Sequence, residues 1–489
     1  LGLDLIVTDH HLTEAGTVPR ALAVLNPNQP GCSYACKHIC GAGVAFKLAQ
    51  ALLEAHDAAN GTVRARTKIL PSFLKMLAIA TIADAVPLLG ENRVFASIGM
   101  EQLRRPAHPG LRALFELVKL DPAKRRLTST DIAFRIAPRI NAAGRMDIAS
   151  EVVELFTTKD APRACELAEK LDRLNTDRRT EEAAILKQIE DQLADPVGGE
   201  RLRAARVIVL DGDGWHRGII GILASRVVER TNRPALVISN ETQAEIAARN
   251  GGASNGSTAD KIPADGTLAI GTSANGKSAN GRSASGSAGQ SHGSGRSVPG
   301  FHLLDAIESC RDLFSRYGGH AHAVGFSLPT ALVPELRARI ATYAAAHLDA
   351  ECLERPLECH AELSFDEITP EFYAVLRRME PMGMGNEEPI FVARRVRVAT
   401  PPRVIKERHI KVVLTAFRPE PPQSPTQEYA PPPSSSFTAL GWHWADRIKA
   451  MGIAEGSLVD IAYRLRENEH PDFGGLELEI VALELALPH

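Results

Sequence analysis

The sequence predicts an α/β protein of several domains that ends in a small β-barrel. Three patterns predict it: short apolar strands alternating with helical segments over residues 1–150, a charged helical stretch over 151–200, and five strand-like segments after residue 357. A second α/β domain is predicted over residues 201–350, and the barrel over 357–489. A chain of 489 residues is also too long for one ordinary core.

The first domain is predicted to be a parallel sheet covered by helices. Leu3-Asp4-Leu5-Ile6-Val7 has the pattern of a buried strand, and because a domain rarely begins in a core strand, we expect part of this domain to be missing. Gly41-Ala42-Gly43 opens a predicted helix, and the apolar segment from Met76 to Ala83 ends at Asp84.

A charged helix and a βαβ unit follow. Leucines and isoleucines between residues 167 and 193 recur at helical spacing among charged residues, which is typical of a helix that connects domains. The second domain is predicted to contain strands at 206–210 and 234–239 around a helix at 218–230. Residues 241–292 are Gly-, Ser- and Ala-rich and are expected to be a flexible insertion, with a helix from Phe301 to about Arg316 beyond it.

The C-terminal segment predicts a barrel of the OB-fold type. Its five strands are separated by turn signals, and a Pro/Ser-rich loop over residues 418–436 interrupts it at one turn. The predicted strands are 391–398, 409–417, 437–442, 459–465 and 476–483.

Composition excludes several classes of protein. No apolar run is long enough to span a bilayer, so a cytoplasmic location is expected, and seven cysteines fit reduced thiols better than a disulfide framework. Cys32, Cys36 and Cys40 match no zinc or iron–sulfur spacing. The net charge of −3 gives no general sign of nucleic-acid binding, so that function needs local evidence.

The strongest local signal is Asp9-His10-His11, directly after the first strand. Ligands collect at the carboxyl ends of strands in parallel sheets, and one carboxylate beside two imidazoles suits a divalent metal. The alternative is a helix cap at Asp9 with two bystander histidines. Asp84 favours the metal interpretation, because an acid at the end of a buried segment is costly unless it is capped, paired or metal-bound.

These segments resemble, in order, the motifs of the DHH phosphoesterases, and the RecJ exonucleases in particular. The resemblance is carried by Asp9-His10-His11, by residues 81–88 around Asp84, and by residues 135–145, Arg-Ile-Ala-Pro-Arg-Ile-Asn-Ala-Ala-Gly-Arg. Gly318-Gly319-His320 resembles the companion DHHA1 domain, and residues 378–386 resemble the entry to the RecJ OB-fold. The resemblance therefore implies a DHH domain, a connecting helix, a DHHA1 domain and an OB-fold.

The resemblance implies a metal-dependent exonuclease that degrades single-stranded DNA from its 5′ end, with two Mn²⁺ or Mg²⁺ ions. The matching catalytic and metal-ligand positions are His10 and Asp84, with Asp9 and His11 beside them; His11 could instead contact the scissile phosphate. The family carries further aspartates upstream of this triplet. Four candidate ligands are too few for two hard cations, so we expect this polypeptide to have little or no nuclease activity.

The resemblance also implies a set of substrate-binding residues. Arginine forks match phosphate oxygens, and glycines let a nucleotide lie against the chain, although Arg139 or Arg145 could instead pair with a carboxylate and the glycines could form a simple tight turn. The predicted substrate-binding residues are Arg139, Asn141, Arg145, Ser294, Arg296, Ser297, Gly318, Gly319 and His320.

The barrel supplies local basic character. Seven arginines and lysines lie between residues 394 and 411, and a basic groove with aromatics is how OB-folds hold single strands, the alternative being a solvated charged face. Trp442 and Trp444 lie two apart on a predicted strand and so would share one face, as core or as a stacking surface. Trp215 is expected in the core.

Two other functions stay open: a DHH/DHHA1 phosphodiesterase of oligonucleotides or cyclic dinucleotides, and a non-catalytic single-strand-binding relative. Single-stranded DNA is the expected partner, with a single-strand-binding protein and a helicase as candidate further partners. We expect no membrane association and a monomeric chain.

Overall fold

The computed structural model divides into two compact units, Leu1–Arg355 and Pro356–His489. It describes residues 3–13, 18–106, 108–145, 149–196, 198–242, 245, 289–354, 356–417, 435–468 and 474–487. None of the described helices combines the length and the apolar character needed to cross a bilayer.

The first unit begins with a small parallel sheet. Strand β1 (Ile6–Thr8) pairs with β2 (Ala23–Leu25). The prediction that Leu3–Val7 is a buried strand is wrong, because Leu5 and Ile6 are 57% and 48% exposed. Only β2 pairs with β1 among the described residues, so the apolar side chains of β1 keep much of their contact with solvent.

A helical body follows this sheet, in place of the continued alternation of strands and helices that the sequence predicts to residue 150. The buried segment at Met76–Ala83 is helical, because it forms the end of the second helix. Side chains of the second, third, fourth and sixth helices share one core with the start of the long connecting helix. The helices are α1 (Gly41–Asn60), α2 (Leu70–Ala83), α3 (Gly90–Leu103), α4 (Pro109–Leu117), α5 (Ser129–Asp131), α6 (Ala137–Arg145) and α7 (Ala149–Leu155).

The connecting helix α8 (Ala161–Ala194) joins two cores. Leu167 and Leu171 near its start are buried in the core of the helical body. Ile185 and Ile189 near its end are buried against the second sheet and its helix. The helical spacing of apolar residues that predicts a connecting helix thus corresponds to one helix with two apolar contact regions.

The second sheet has five strands in the order β3-β4-β5-β7-β6, with β3 and β4 parallel and the others antiparallel. The predicted helix from Phe301 to Arg316 is shorter, because Arg316 already begins a strand. Strand β5 begins at Gln290, inside the predicted insertion, of which residues 246–288 lie outside the described residues. The elements are β3 (Ile208–Asp213), β4 (Ala235–Asn240), β5 (Gln290–Arg296), β6 (Arg316–His320), β7 (Ala323–Pro329), α9 (Gly198–Ala204), α10 (Arg217–Thr231), α11 (Leu303–Glu308) and α12 (Val333–His347).

The second unit is a partly closed barrel. All five predicted strands are present, and they form a ring in the order β9-β11-β12-β14-β13, closed by pairing between β9 and β11 and between β13 and β9. Only β12 and β14 pair in parallel within the ring. Of the Pro/Ser-rich loop, residues 418–434 lie outside the described residues. The elements are β8 (Ala361–Glu362), β9 (Phe391–Val398), β10 (Arg403–Ile405), β11 (His409–Thr415), β12 (Ser436–Gly441), β13 (Leu458–Asn468), β14 (Gly475–Leu485), α13 (Pro370–Leu376) and α14 (Ala445–Ala450).

A buried carboxylate fixes the entry to the segment that leads into α6. Asp131 accepts hydrogen bonds from both terminal nitrogens of Arg125, at 3.0 and 2.6 Å, and forms a capping box with Thr128. Burial opposes ionisation of Asp131, but the bonds from Arg125 and Thr128 outweigh it and hold its pKa below the ordinary value. The charged form of Asp131 therefore stabilises this end of the helical body.

We expect Asp131→Ala to lower the local opening free energy of residues 125–145 by roughly 2 kcal/mol, through loss of the cap and the ion pair. Folding lowers the pKa of Asp131, so the carboxylate stabilises the fold fully at pH values above the pKa of the unfolded chain, about 4. This stabilisation is lost as the pH falls further, through the pKa of the folded state. Hydrogen exchange measured by mass spectrometry should show the protection difference at neutral pH and its shrinkage toward acid. Asp121→Asn, at a half-exposed aspartate, is the control; equal protection in wild type and Asp131→Ala at neutral pH would contradict this role.

Candidate metal centre and phosphate-binding face

The Asp9-His10-His11 triplet lies at the carboxyl end of β1, as the sequence predicts. The Asp9 amide donates to the Leu25 carbonyl at 3.0 Å, so the pairing with β2 continues into the triplet. The Asp9 carboxylate accepts from the backbone amides of His10 and His11, at 2.7 and 3.3 Å. Asp9 thus caps its own turn, and the described residues 9–13 form no helix.

Asp9 also orients His11. Its Oδ1 lies 2.6 Å from Nδ1 of His11, which leaves Nε2 of His11 as the ring nitrogen for another partner. Burial opposes ionisation of Asp9, but the hydrogen bonds from His11 and from the two backbone amides hold the pKa of Asp9 below its ordinary value. Nε2 suits either a metal ion or a phosphate oxygen, so both roles of His11 stay open.

Two asparagines that the sequence analysis missed hold the triplet in place. Asn26 donates to the carbonyl of His11 at 2.9 Å, and Asn28 donates to the carbonyl of His10 at 2.7 Å and to that of Lys37 at 3.1 Å. They follow β2 at the same edge of the sheet as Asp9. The rule that polar side chains gather at the carboxyl ends of strands could have identified them.

Asp84 meets His10 from the other side. It caps the C-terminal end of α2, and Ala85 turns the chain at once with a left-handed φ of 53°. Its Oδ2 lies 3.7 Å from Nδ1 of His10. The two atoms are therefore close enough for one divalent cation to contact both. Asp84 and the triplet therefore converge, as the sequence predicts.

The electrostatics of this pair favour a cation. Burial raises the pKa of Asp84, and the neighbouring histidines offset this only in part. The negative end of the α2 dipole lies at the same place, which adds to the cost of the charged carboxylate. Burial lowers the pKa of His10, so the imidazole is largely neutral near pH 7 and its nitrogen can act as a ligand.

Gly41 at the start of α1 makes room for His10. A Cβ at this position would lie 3.3 Å from Cδ2 of the imidazole, tighter than ordinary contact. The glycine that opens the predicted helix thus lets the first turn of α1 pack against the His10 ring.

These donors fit part of a metal site. An imidazole and a carboxylate that face each other suit one divalent cation. Among the residues that the structure describes, no group of three or more His, Cys, Asp or Glu side chains is arranged to hold a metal ion. Cys32, Cys36 and Cys40 therefore form no such group either. The His10–Asp84 pair is consequently a partial ligand set.

A second group of predicted residues shares one face of the five-stranded sheet. Arg296 and His320 both lie opposite Ala323, and Ser294 and Gly318 both lie opposite Gly325, so the four are aligned across β5, β7 and β6. Gly318 and Gly325 have open space where a Cβ would stand. The Arg296 guanidinium donates to Ser294 Oγ at 3.2 Å. Bare backbone between an arginine, a hydroxyl and an imidazole suits an anionic group.

Gly319 and Ser297 differ from the residues aligned on this face. Gly319 has φ +147°, and a Cβ there would lie 2.3 Å from the Ala323 carbonyl, so the tight turn between β6 and β7 requires this glycine. The Ser297 hydroxyl donates to the Phe301 carbonyl at 2.7 Å, which engages its proton inside the loop. Their predicted contact with substrate stays a prediction.

Arg139 makes the ion pair that the sequence analysis left as the alternative. Its Nη2 lies 2.8 Å from Asp172 of α8, and its Nη1 donates to the Arg135 carbonyl at 2.6 Å. Arg139 therefore ties α6 to the connecting helix. Asn141 is exposed on α6, and the side chain of Arg145 lies outside the described residues. Contact of the three residues with substrate stays a prediction.

Trp215 lies in the core, as expected, at 3% exposure, and its indole donates to Gln188 on α8 at 2.8 Å. The two tryptophans of the barrel do not share a face, which contradicts the prediction. Strand β12 ends at Gly441, and His443 has a left-handed φ of 63°, so Trp442 is 55% exposed whereas Trp444 is buried.

The three arginines of β9 fall into two groups. Arg394 pairs with Glu362 and Asp460, at 3.4 and 3.5 Å, which is the solvated charged face that the sequence analysis left open. Arg395 and Arg397 both lie over the ring of Phe417, at 5.8 and 5.1 Å from its centre. This second group combines positive charge with an aromatic ring, as a single-strand-binding surface does.

Comparisons with known proteins agree with this architecture. Residues 1–81 match the model of the DHH family, N-terminal domain, and residues 359–482 match that of the RecJ OB domain. The single-stranded-DNA-specific exonuclease RecJ of Dickeya dadantii is 35% identical over 84% of this chain and 64% of its own length. That of Bacillus subtilis is 33% identical over 80% of this chain and 41% of its own length.

A solved structure matches the whole chain. The crystal structure of RecJ from Thermus thermophilus in complex with Mn²⁺ superposes with a TM-score of 0.71 at 29% identity, covering 100% of this chain and 59% of that one. The predicted α/β organisation with a C-terminal OB-fold is thereby confirmed. The chain spans less than two thirds of the length of these relatives.

Proposed function

We propose that this chain, a homologue of the RecJ exonucleases, contributes to a metal-dependent nuclease that removes nucleotides from the 5′ end of single-stranded DNA in cytoplasmic recombination and repair. The observation that carries the proposal is the 3.7 Å approach of the His10 ring to the Asp84 carboxylate at the carboxyl edge of the first sheet. RecJ structures have been solved with Mn²⁺ and with Mg²⁺, which supports a divalent cation at this pair.

His10 and Asp84 would hold the cation, with Asp9 and His11 beside it. Such an ion supplies a bound water of lowered pKa and positive charge for the phosphate oxygens. The residues of this chain position the ligands: Asp9 fixes the ring of His11, and Asn26 and Asn28 fix the backbone that carries both imidazoles. Loss of a residue that orients a metal ligand typically lowers metal affinity or activity by roughly 10–100-fold.

The face formed by Ser294, Arg296, Gly318 and His320 would bind a phosphate of the DNA backbone. The guanidinium offers charge-assisted hydrogen bonds, and the open glycines allow close approach of the sugar–phosphate chain. Burial, and then the neighbouring cationic groups, lower the pKa of His320, so its imidazole acts here as a neutral hydrogen-bonding group near pH 7.

The OB-type second unit favours long single strands over the two alternatives. A phosphodiesterase of cyclic dinucleotides has no need of a basic aromatic surface such as that around Phe417, whereas a strand of many nucleotides does. A purely DNA-binding role has no need for a partly buried acid that lies 3.7 Å from a histidine at a sheet edge. We therefore favour the exonuclease.

Mn²⁺ binding tests the metal pair without an activity assay. We expect His10→Ala and Asp84→Asn each to weaken Mn²⁺ binding by roughly tenfold or more, because each removes a direct ligand. Free Mn²⁺ measured by electron paramagnetic resonance during titration of the full chain gives the affinity. His56→Ala, at an exposed histidine on α1, is the control; unchanged affinity in both site variants would remove the pair from the metal site.

A nuclease assay tests whether this chain provides enough metal ligands for catalysis. Two hard cations need more donors than His10, Asp84, Asp9 and His11 provide, so we expect little or no Mn²⁺-dependent release of nucleotides from 5′-phosphorylated single strands by this polypeptide alone. The release should be compared with that of the Asp84→Asn variant at equal Mn²⁺. Robust turnover that Asp84→Asn abolishes would keep the nuclease proposal and overturn the expectation of inactivity.

Trp442 is the predicted stacking residue of the second unit, because its ring is half exposed and rests edge-on against His409, 5.0 Å between centres. We expect Trp442→Ala to weaken binding of an oligothymidylate by roughly tenfold, the usual worth of one stacked base. Fluorescence anisotropy of a labelled oligonucleotide measures it. Trp442→Phe keeps a ring and should retain most of the affinity; equal affinities of wild type and Trp442→Ala would exclude stacking.

A further inference from the structure

We propose that the second unit carries a docking pocket for a protein segment in which an apolar side chain is flanked by lysine or arginine. The pocket lies between the β10–β11 hairpin and helix α14, and it does not depend on the nuclease proposal. It encloses about 540 Å³. Its lining residues are Pro401, Pro402, Val404, Glu407, Ile410, Ala445, Asp446, Ile448, Lys449, Ile453, Ala454 and Glu455.

The floor of the pocket is apolar and part of it is open to solvent. Ile410, Ile448 and Ile453 form its buried base and belong to the core of the barrel. Val404 on the hairpin is 59% exposed. Covering this valine with another apolar side chain would remove more hydrocarbon from water, which favours association.

The rim of the pocket is acidic. Its lining includes three carboxylates, of Glu407, Asp446 and Glu455, and one ammonium group, of Lys449. None of the four side chains forms an ion pair or a side-chain hydrogen bond with another of the residues that the structure describes. Counted over the lining residues alone, three carboxylates against one ammonium leave a net negative charge, which favours a cationic segment over a DNA phosphate.

The pleat of the hairpin places its basic and its apolar side chains on opposite faces. Arg403 lies directly opposite Lys411, and Val404 lies directly opposite Ile410. Neighbours along a strand point to opposite faces, and directly opposed residues point to the same face. The two basic side chains therefore project from one face of the hairpin, whereas the two apolar side chains line the pocket on the other.

The hairpin also offers a backbone edge. Strand β10 is at the end of the described sheet, paired with β11 on one side only. The turn that follows holds Lys406 and Glu407 in left-handed conformations, with φ of 48° and 63°, which side chains rarely adopt without a constraint. An extended segment could add to β10 as a strand and place one side chain in the pocket.

The occupant that these features select is a segment of another protein, apolar at one position and basic at its neighbours. The apolar floor selects the central side chain, and the excess of carboxylates in the lining selects the flanking charges. Single-stranded DNA, an acidic segment and a second copy of this chain are the competing occupants.

The test uses methyl NMR spectra of the full chain with ¹³C-labelled isoleucine methyls. The probes are a pentapeptide with leucine between two pairs of lysines, the same peptide with glutamates in place of the lysines, and the same lysine peptide with alanine in place of leucine. We expect the methyl signals of Ile410, Ile448 and Ile453 to shift with the first peptide and to shift much less with the other two. Added salt should weaken the effect.

A triple variant checks the rim. Glu407→Gln, Asp446→Asn and Glu455→Gln together should weaken binding of the lysine–leucine peptide by roughly tenfold, since each exposed charge contributes modestly. The matched control neutralises three exposed glutamates elsewhere in the same unit, Glu358→Gln, Glu387→Gln and Glu484→Gln, and should bind like the wild type.

Four results would overturn the proposal. They are the absence of methyl shifts at millimolar lysine–leucine peptide, equal shifts with the glutamate peptide, shifts of the same three methyls with oligothymidylate, and shifts that appear on raising the protein concentration alone. The third would assign the pocket to DNA, and the fourth to a second copy of the chain. Loss of nuclease activity has no bearing on any of them.

Discussion

The candidate centre depends on one constraint: a partly buried carboxylate stands at the negative end of a helix. Asp84 is fixed there because the preceding residues of α2, among them Leu77, Ala78 and Ile82, are buried in the core of the first unit. The helix cannot shift to expose the carboxylate further without disturbing that core, and burial raises the pKa of Asp84. A cation bound there would offset both the burial and the helix dipole, and the neutral imidazole of His10 lies close enough to share it. Hydrophobic packing of α2 thus fixes the position of Asp84, and the Asp84 carboxylate favours a cation beside it.

Sequence reasoning located this centre because each half of it follows a simple local rule. A polar triplet after a strand and an acid after an apolar run can both be read without coordinates. Their convergence was implied by the resemblance to the DHH phosphoesterases and not by the predicted sheet, since Asp84 ends a helix. The five strands of the barrel were equally visible, because alternating apolar residues and turn signals are local. Pairs between distant positions were not: Arg139 and Asp172 lie 33 residues apart on different helices, and nothing near Arg139 identifies its partner. The prediction that Trp442 and Trp444 share a face is wrong for another reason. It relied on the alternation of side chains along a strand, and the left-handed backbone at His443 ends that alternation.

The face proposed to bind phosphate shows how strand register brings residues from separate segments together. Arg296 lies on β5, Ala323 on β7 and His320 on β6. Because β5 and β6 both pair with β7, Arg296 and His320 both lie directly opposite Ala323. The small residues between them matter as much as the polar ones, because a larger side chain at Gly325 would fill the space between Ser294 and Gly318. Gly319 serves a different purpose, since its φ is required by the turn. Two adjacent glycines of one motif therefore have separate reasons to be glycine.

Strand register also explains how the β10–β11 hairpin can carry basic side chains on one face and apolar side chains on the other. Because side chains alternate along β10, a slip of one residue against β11 would bring Arg403 into the apolar pocket and turn Val404 toward the basic face. Both surfaces would be lost together, so each depends on the pairing that the other requires. Strand β11 is held on its far side by β12 and at its end by β9, which fixes its position in the barrel. The closed ring of strands thus does more than enclose a core: it sets the register at which the hairpin presents Arg403 and Lys411 on one face and the apolar lining of the pocket on the other.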